Sequence, residues 1–192
     1  MLDHPTQLID RITTKPRFLL MLMITLTLVG TVNLAKLPWT LPTFKATTHG
    51  STILDMRFHY SAEEAYQAIA GYGDAGRALY MHILWPLDVL IPFCASMMFA
   101  MAITLAWRTQ AQQRSGLRYL GLIGLCAGLT DYAENIAITA LLSSYPAHLD
   151  SVGTLAGYLT SAKHILYVTS LLTALTGGVM SILRKPSPQQ SF

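Results

Sequence analysis

Four stretches of the chain carry almost nothing but apolar side chains. Residues 18–37 read FLLMLMITLTLVGTVNLAKL, and 78–106 read ALYMHILWPLDVLIPFCASMMFAMAITLA. Residues 118–143 contain YLGLIGLCAGLTDYAENIAITALL, and 155–183 read LAGYLTSAKHILYVTSLLTALTGGVMSIL. Each reaches the ~20 residues that a helix needs to cross hydrocarbon. The pattern predicts a single all-α integral membrane domain over 1–192, a bundle of four transmembrane helices. The first apolar run is longer than the h-region of a signal peptide, about 7–15 residues. No A-x-A signal follows it, so it is expected to remain as an uncleaved span.

The connection 38–77 is the one sizeable region left outside the spans. Its first half, PWTLPTFKATTHGSTILD, is rich in Pro and Thr and reads as irregular chain. Its second half changes character. Ser61 and Glu64 form a capping box, in which each side chain bonds the other residue's amide. Ala65, Tyr66, Ile69 and Tyr72 then make one apolar face, and Gly71 and Gly73 end the element. The spacing predicts a short amphipathic helix over 61–70, lying on the membrane surface.

Charge orients the spans. Arg11, Lys15 and Arg17 precede the first, Arg108, Arg114 and Arg118 separate the second from the third, and Arg184 and Lys185 follow the fourth. All fall on one side, which the positive-inside rule makes cytoplasmic. Both termini are therefore expected in the cytoplasm and 38–77 outside. Composition agrees: 52% of residues are apolar and 12% charged, a balance foreign to soluble domains. The net charge of +3 is the bias of cytoplasmic loops and calls for no nucleic-acid partner. The cysteines, Cys94 and Cys126, both lie inside spans and make no disulfide framework.

Against this background the polar residues of the spans stand out, because each is costly in hydrocarbon and marks a functional site by default. The third span carries Asp131, Glu134 and Asn135. On a helix with Gly124 at 0°, Gly128 falls at about 40°, Asp131 at about 340°, Asn135 at about 20° and Gly121 at about 60°. This stripe faces protein, and the Gly124–Gly128 pair admits a close helix neighbour or a second copy of the chain. Asp88 on the second span and Lys163 and His164 on the fourth lie at the same depth, roughly 12–18 Å from the outer end. Tyr167 shares the Lys163 face, and Arg77 and Tyr80 open the second span. Pro86 and Pro92 free the carbonyls of His82 and Asp88 and predict a kink. Together these features predict a polar pocket in the outer half of the bundle, formed by Arg77, Tyr80, Asp88, Asp131, Glu134, Asn135, Lys163, His164 and Tyr167.

Several chemistries fit such a pocket. Asp131, Glu134 and His164 are the candidate acid–base residues for an enzyme acting on a lipid or isoprenoid. Asp88, Asp131, Glu134 and His164 form a ligand set, but no HxxxH or ExxH spacing accompanies them, and no metal is predicted. No cofactor is predicted either. A haem held by His82 and His164 is the one arrangement a helical bundle offers, and the two differ in depth. No phosphate-binding, nucleophile-elbow or zinc-protease motif is present.

The stretch DMRFHYSAEEAYQAIAGYGDAGRALY, followed by Asp88, Pro92 and DYAEN, resembles a pattern of small four-span bacterial membrane proteins of unassigned function. In that pattern Asp55, Arg57 and Tyr60 precede the surface helix, Gly73, Gly76, Arg77 and Tyr80 open the second span, and Asp131, Glu134 and Asn135 mark the third. The resemblance covers about half the chain and carries no activity. It implies a bacterial inner membrane and one site shared by the outer loop and the intramembrane cluster. Three functional readings stay open: a pocket that binds, or acts on, a lipid-like molecule; a non-catalytic subunit or scaffold whose buried charges fix helix pairing; and a proton- or ion-coupled transport component. Membrane lipids are the expected partners.

Overall fold

A computed structural model describes residues 3–183; Arg184 and Lys185 lie outside the described residues. The elements are α1 (Asp3–Ile12), α2 (Lys15–Leu34), α3 (Leu41–Thr47), α4 (Ala62–Gly71), α5 (Gly73–Gln113), α6 (Leu122–Ser144) and α7 (Asp150–Leu183). Short 3₁₀ turns occupy Leu54–Met56 and Ser115–Gly121. No strand occurs among the described residues.

The architecture is all-helical. Three helical stretches are long and apolar enough to cross a membrane: Lys15–Leu34, Pro86–Gln113 and Asp150–Leu183. They mark the chain as a membrane protein. Helix α6 is not among them, because Asp131, Glu134 and Asn135 interrupt its apolar run. Helices α5, α6 and α7 pack on one another, and α2 packs on α5. Leu19, Leu20 and Met23 of α2 and Val168, Leu172 and Leu175 of α7 stay more than half exposed. Such an apolar belt suits hydrocarbon, not water.

The dense core sits at one end of these helices, under the 35–72 connection. There Phe44, Leu54, Tyr60, Ile69 and Tyr80 are at most 1% exposed. The connection is more ordered than its Pro- and Thr-rich first half predicts. Pro42 enters the first turn of α3, where a missing amide costs nothing, and Leu41 and Phe44 turn inward three residues apart. Phe44 then meets Tyr72 and Tyr80 edge-on, with ring centroids 5.1 and 5.7 Å away.

Helix α4 forms where the capping box places it. Ser61 Oγ accepts from the Glu64 amide at 3.2 Å, and Glu64 Oε2 accepts from the Ser61 amide at 2.7 Å. These bonds hold the Glu64 carboxyl below its ordinary range. Ala65, Tyr66 and Ile69 are buried, so the apolar face of α4 is spent on the protein's own core. Gly73, at φ +63°, then turns the chain straight into α5.

Helix α5 stays helical through Pro86 and Pro92, over 41 residues. The glycine stripe of α6 receives α5. A Cβ on Gly124 would lie 2.7 Å from the Ala100 nitrogen, and one on Gly128 2.6 Å from Ser96 Cβ. Gly124 and Gly128 are thus used inside the chain, against α5. Helix α7 has its own small-residue stripe, Gly153–Gly157–Ser161, at a spacing of four, and this one receives the connection. A Cβ on Gly157 would overlap the Tyr60 carbonyl oxygen.

Candidate functional site

The seating of the connection on α7 brings an acidic residue into the helices. Ser161 Oγ donates to the Phe58 carbonyl at 3.0 Å, and His59 Nδ1 donates to the Gly157 carbonyl at 3.1 Å. On the other side Tyr80, fully buried on α5, accepts the Asp55 amide through its hydroxyl at 3.2 Å. Tyr72 Oη donates to the Thr52 carbonyl at 2.8 Å. Burial pushes the Tyr60 and Tyr72 phenols above their ordinary value, so both remain neutral at any working pH. The turn Leu54–Met56 is thereby held from both sides, with the Asp55 carboxylate aimed inward.

That carboxylate meets Lys163. The Lys163 ammonium, 5% exposed, contacts Asp55 Oδ1 from the connection and Glu134 Oε2 from α6, and lies 3.4 Å from Asp131 Oδ1. An ammonium has three donors, and three carboxylates face it. Tyr167 Oη donates to the other Asp131 oxygen at 3.0 Å. Thr160 Oγ1 contacts Glu134 Oε1 and also sits 2.9 Å from the Ala156 carbonyl. One hydroxyl proton thus faces two acceptors. Glu134 is fully buried.

The charge count matters most here. With every group ionised, one ammonium would face three carboxylates at short range in a low dielectric. Like charges this close do not all persist unless a proton or cation is added. Asp55, Asp131 and Glu134 each offer an oxygen within 4.8 Å of the others, a spacing that suits a cation. The Lys163 ammonium fills that role.

The expected site residues divide into those the fold joins and those it does not. Asp131, Glu134, Lys163 and Tyr167 form the centre, with Asp131 facing Lys163. Asn135 stands beside them and donates from Nδ2 to the Asp88 carbonyl at 3.0 Å, the carbonyl that Pro92 leaves without its helical partner. Asp88 Oδ2 and Asn135 Oδ1 are buried with no hydrogen-bond partner among the described residues. Tyr80 serves the site indirectly by holding Asp55.

Arg77 and His164 go elsewhere. Arg77 contacts Asp74, donates to the Ile69 carbonyl at 3.2 Å and stacks over Tyr145 at 4.3 Å. It braces the end of the helices and does not pair with Asp88. His164 is one position off the Lys163 face, about 100° around the helix. Its Nδ1 donates to the Thr160 carbonyl at 2.7 Å, and its ring lies beside Phe58. His82 lines a separate hollow with Pro38, Trp39 and Pro86. The fold thus seats the two histidines among different neighbours.

Asp55 and Thr160 are the residues that sequence patterning misses. Thr160 carries a signal, since it is one turn before Lys163 on the same face. Asp55 lies in an irregular turn, where only the resemblance ties it to the intramembrane cluster. Compared with family models, curated proteins and solved structures, the chain finds no match.

Proposed function

We propose that the chain is a four-span protein of a bacterial inner membrane, with both termini cytoplasmic, whose buried centre binds a proton or small cation and couples its occupancy to the seating of the outer connection. Helix α6 is the fourth span, its charges neutralised by Lys163 instead of exposed to lipid. The observation that carries the reading is the convergence of three carboxylates on one buried ammonium, one carboxylate arriving from outside the helices. An excess of acid over base is a proton-accepting site. Uptake of a proton by Asp55 would release its hold on Lys163, so occupancy and loop position are linked.

A structural latch is the second reading, favoured because the Lys163 ammonium already sits among three carboxylates. A lipid-like ligand at this centre has less support, since Glu134 and Lys163 are closed over by the connection.

Topology is tested by single-cysteine labelling at positions 45 and 112 in a chain lacking Cys94 and Cys126. Impermeant reagent should reach position 45 from outside intact cells and position 112 only after lysis. The opposite pattern would invert the orientation.

The centre is tested by infrared spectroscopy and by flux. In bilayer nanodiscs at neutral pH, a protonated carboxyl band is expected and should vanish in Glu134→Gln. Liposomes containing the protein should dissipate an imposed proton gradient faster than empty ones, and Glu134→Gln and Asp55→Asn should abolish the difference. A carboxyl band without flux supports the latch. Absence of both removes the proton-binding reading.

A further inference from the structure

The connection does not stop at the end of the helices. Followed backwards from α4, it descends beside α7, and each step has a partner. Ala62, the first residue of α4, packs on Gly153. The Tyr60 carbonyl lies on Gly157. The Phe58 carbonyl accepts from Ser161, and the Phe58 ring reaches His164, with centroids 6.1 Å apart. Asp55 ends beside Lys163. Gly153 and His164 are eleven residues apart on α7, roughly 16 Å along the axis.

Backbone at such a depth needs partners for its polar groups inside the protein. The Asp55 amide donates to Tyr80 Oη, and the Thr52 carbonyl accepts from Tyr72. The Met56 and Arg57 amides donate to the Ile53 and Leu54 carbonyls at 3.3 and 3.0 Å. With Ser161 on the Phe58 carbonyl, hydroxyl groups from three surrounding helical positions hold this stretch where a surface loop would use water.

The side chains of the stretch sort by side. Asp55 turns inward to Lys163, while Met56 and Phe58, two residues apart, stay 44% and 63% exposed. Arg57 between them is half-buried, and its charge acts on Glu64 at the start of α4, toward the connection's outer end. A long arginine stem suits that reach out of hydrocarbon. Below Phe58, the face of α7 that carries the connection continues as bare apolar surface. With Ser161 at 0°, Ile165 falls at about 40°, Val168 at about 340° and Leu172 at about 20°. All three are more than half exposed and belong to the apolar belt.

We propose that residues 55–60 form a re-entrant segment lodged in the leaflet on the connection's side of the membrane, with Met56 and Phe58 packed against lipid acyl chains. Lipid fits this surface because the two side chains extend the belt along one face of α7 without a break. The inference rests on α7 crossing the membrane and not on what the Lys163 centre binds.

The test uses the full chain lacking Cys94 and Cys126, with one nitroxide-labelled cysteine at position 58, in phosphatidylcholine nanodiscs. Electron paramagnetic resonance reads collisions with oxygen, which dissolves in hydrocarbon, and with a nickel chelate, which stays in water. Position 165 on the belt and position 67 on the exposed side of α4 are the references. The ratio of oxygen to nickel collisions at position 58 should match that at 165 and exceed that at 67. The unsubstituted chain gives an independent reading: phosphatidylcholine with a diazirine in its acyl chain should label the peptide that holds Met56 and Phe58 and leave α4 unlabelled. A position 58 as open to nickel as position 67 puts the segment in water and overturns the proposal. A position 58 closed to both reagents, with no lipid adduct on Met56 or Phe58, means that protein covers it, and overturns the proposal equally. Should position 165 also be open to nickel, α7 lies outside the bilayer, and the reading of the spans fails together with the proposal. A missing carboxyl band with position 58 in lipid removes the proton-binding reading and leaves the re-entrant segment standing.

Discussion

Lys163→Met is expected to lower the stability of the protein by about 3–5 kcal/mol at neutral pH, the cost of stranding buried charge. The methionine keeps the length and apolar volume of the side chain, so the loss is that of the ammonium. Three carboxylates then remain: Asp55, Asp131 and Glu134. In the unfolded variant they are ionised at neutral pH. In the folded variant they are held together without a cation and must take up protons to coexist. The folded state therefore binds more protons than the unfolded state, and stability falls as pH rises. Thermal unfolding in mild detergent should show the variant recovering toward wild type under mildly acidic conditions and failing under mildly alkaline ones. Adding Asp131→Asn should restore part of the loss, because two carboxylates still face each other. Adding Glu134→Gln and Asp55→Asn as well should restore most of it. Were Lys163 paired with Asp131 alone, the first double variant would recover nearly everything. A Lys163→Met protein as stable as wild type across pH would end the account of the centre altogether.

The same centre shows what a sequence makes legible. Asp131, Glu134, Lys163 and Tyr167 are readable because helices are periodic: residues three or four apart share a face, and a charge in an apolar run has few places to go. The capping box of α4 is readable because it is local, closed within four residues. Even α3 announces itself through Thr40-Leu41-Pro42, a helix start that the surrounding Pro and Thr obscure. Asp55 is different. Its position depends on Tyr80 twenty-five residues away, on Tyr72 holding Thr52, and on α7 offering glycines to the chain at 58–60. No period links these residues, so patterning alone leaves Asp55 among the solvated charges of the connection. The partner of a glycine stripe is hidden for a related reason. Gly124 and Gly128 declare that something approaches closely, yet α5 and α7 both qualify until the whole packing is known. His164 fails as a site residue on one helical step, since neighbours in sequence face 100° apart.

The seating of the connection gives the other large expected effect. Gly157→Ala drives a methyl group into the Tyr60 carbonyl oxygen and to 3.0 Å from its carbon. Both atoms are backbone, so no side-chain rotation relieves the clash. On an isolated helix the substitution would help, since alanine is favoured over glycine by about 1 kcal/mol. Here overpacking costs about 1–3 kcal/mol, and the chain at 58–60 must lift away from α7. Lifting also breaks the Ser161–Phe58 and His59–Gly157 hydrogen bonds, each of about 1 kcal/mol. The clash and the lost bonds together outweigh the gain in propensity, and the variant should be less stable by about 2 kcal/mol or more. Gly178→Ala, on the same helix with open space around its Cβ, isolates the propensity term and should be neutral or mildly stabilising. The decisive readout is local. Trypsin should cut after Arg57 faster in Gly157→Ala than in wild type, because the lifted chain is exposed. Asp55 then loses its contact with Lys163, so the protonated carboxyl band should shift in this variant although no titrating residue has changed. A Gly157→Ala protein that matches Gly178→Ala in stability, cleavage and spectrum would mean that the connection is not seated on α7, and that Asp55 does not belong to the buried centre.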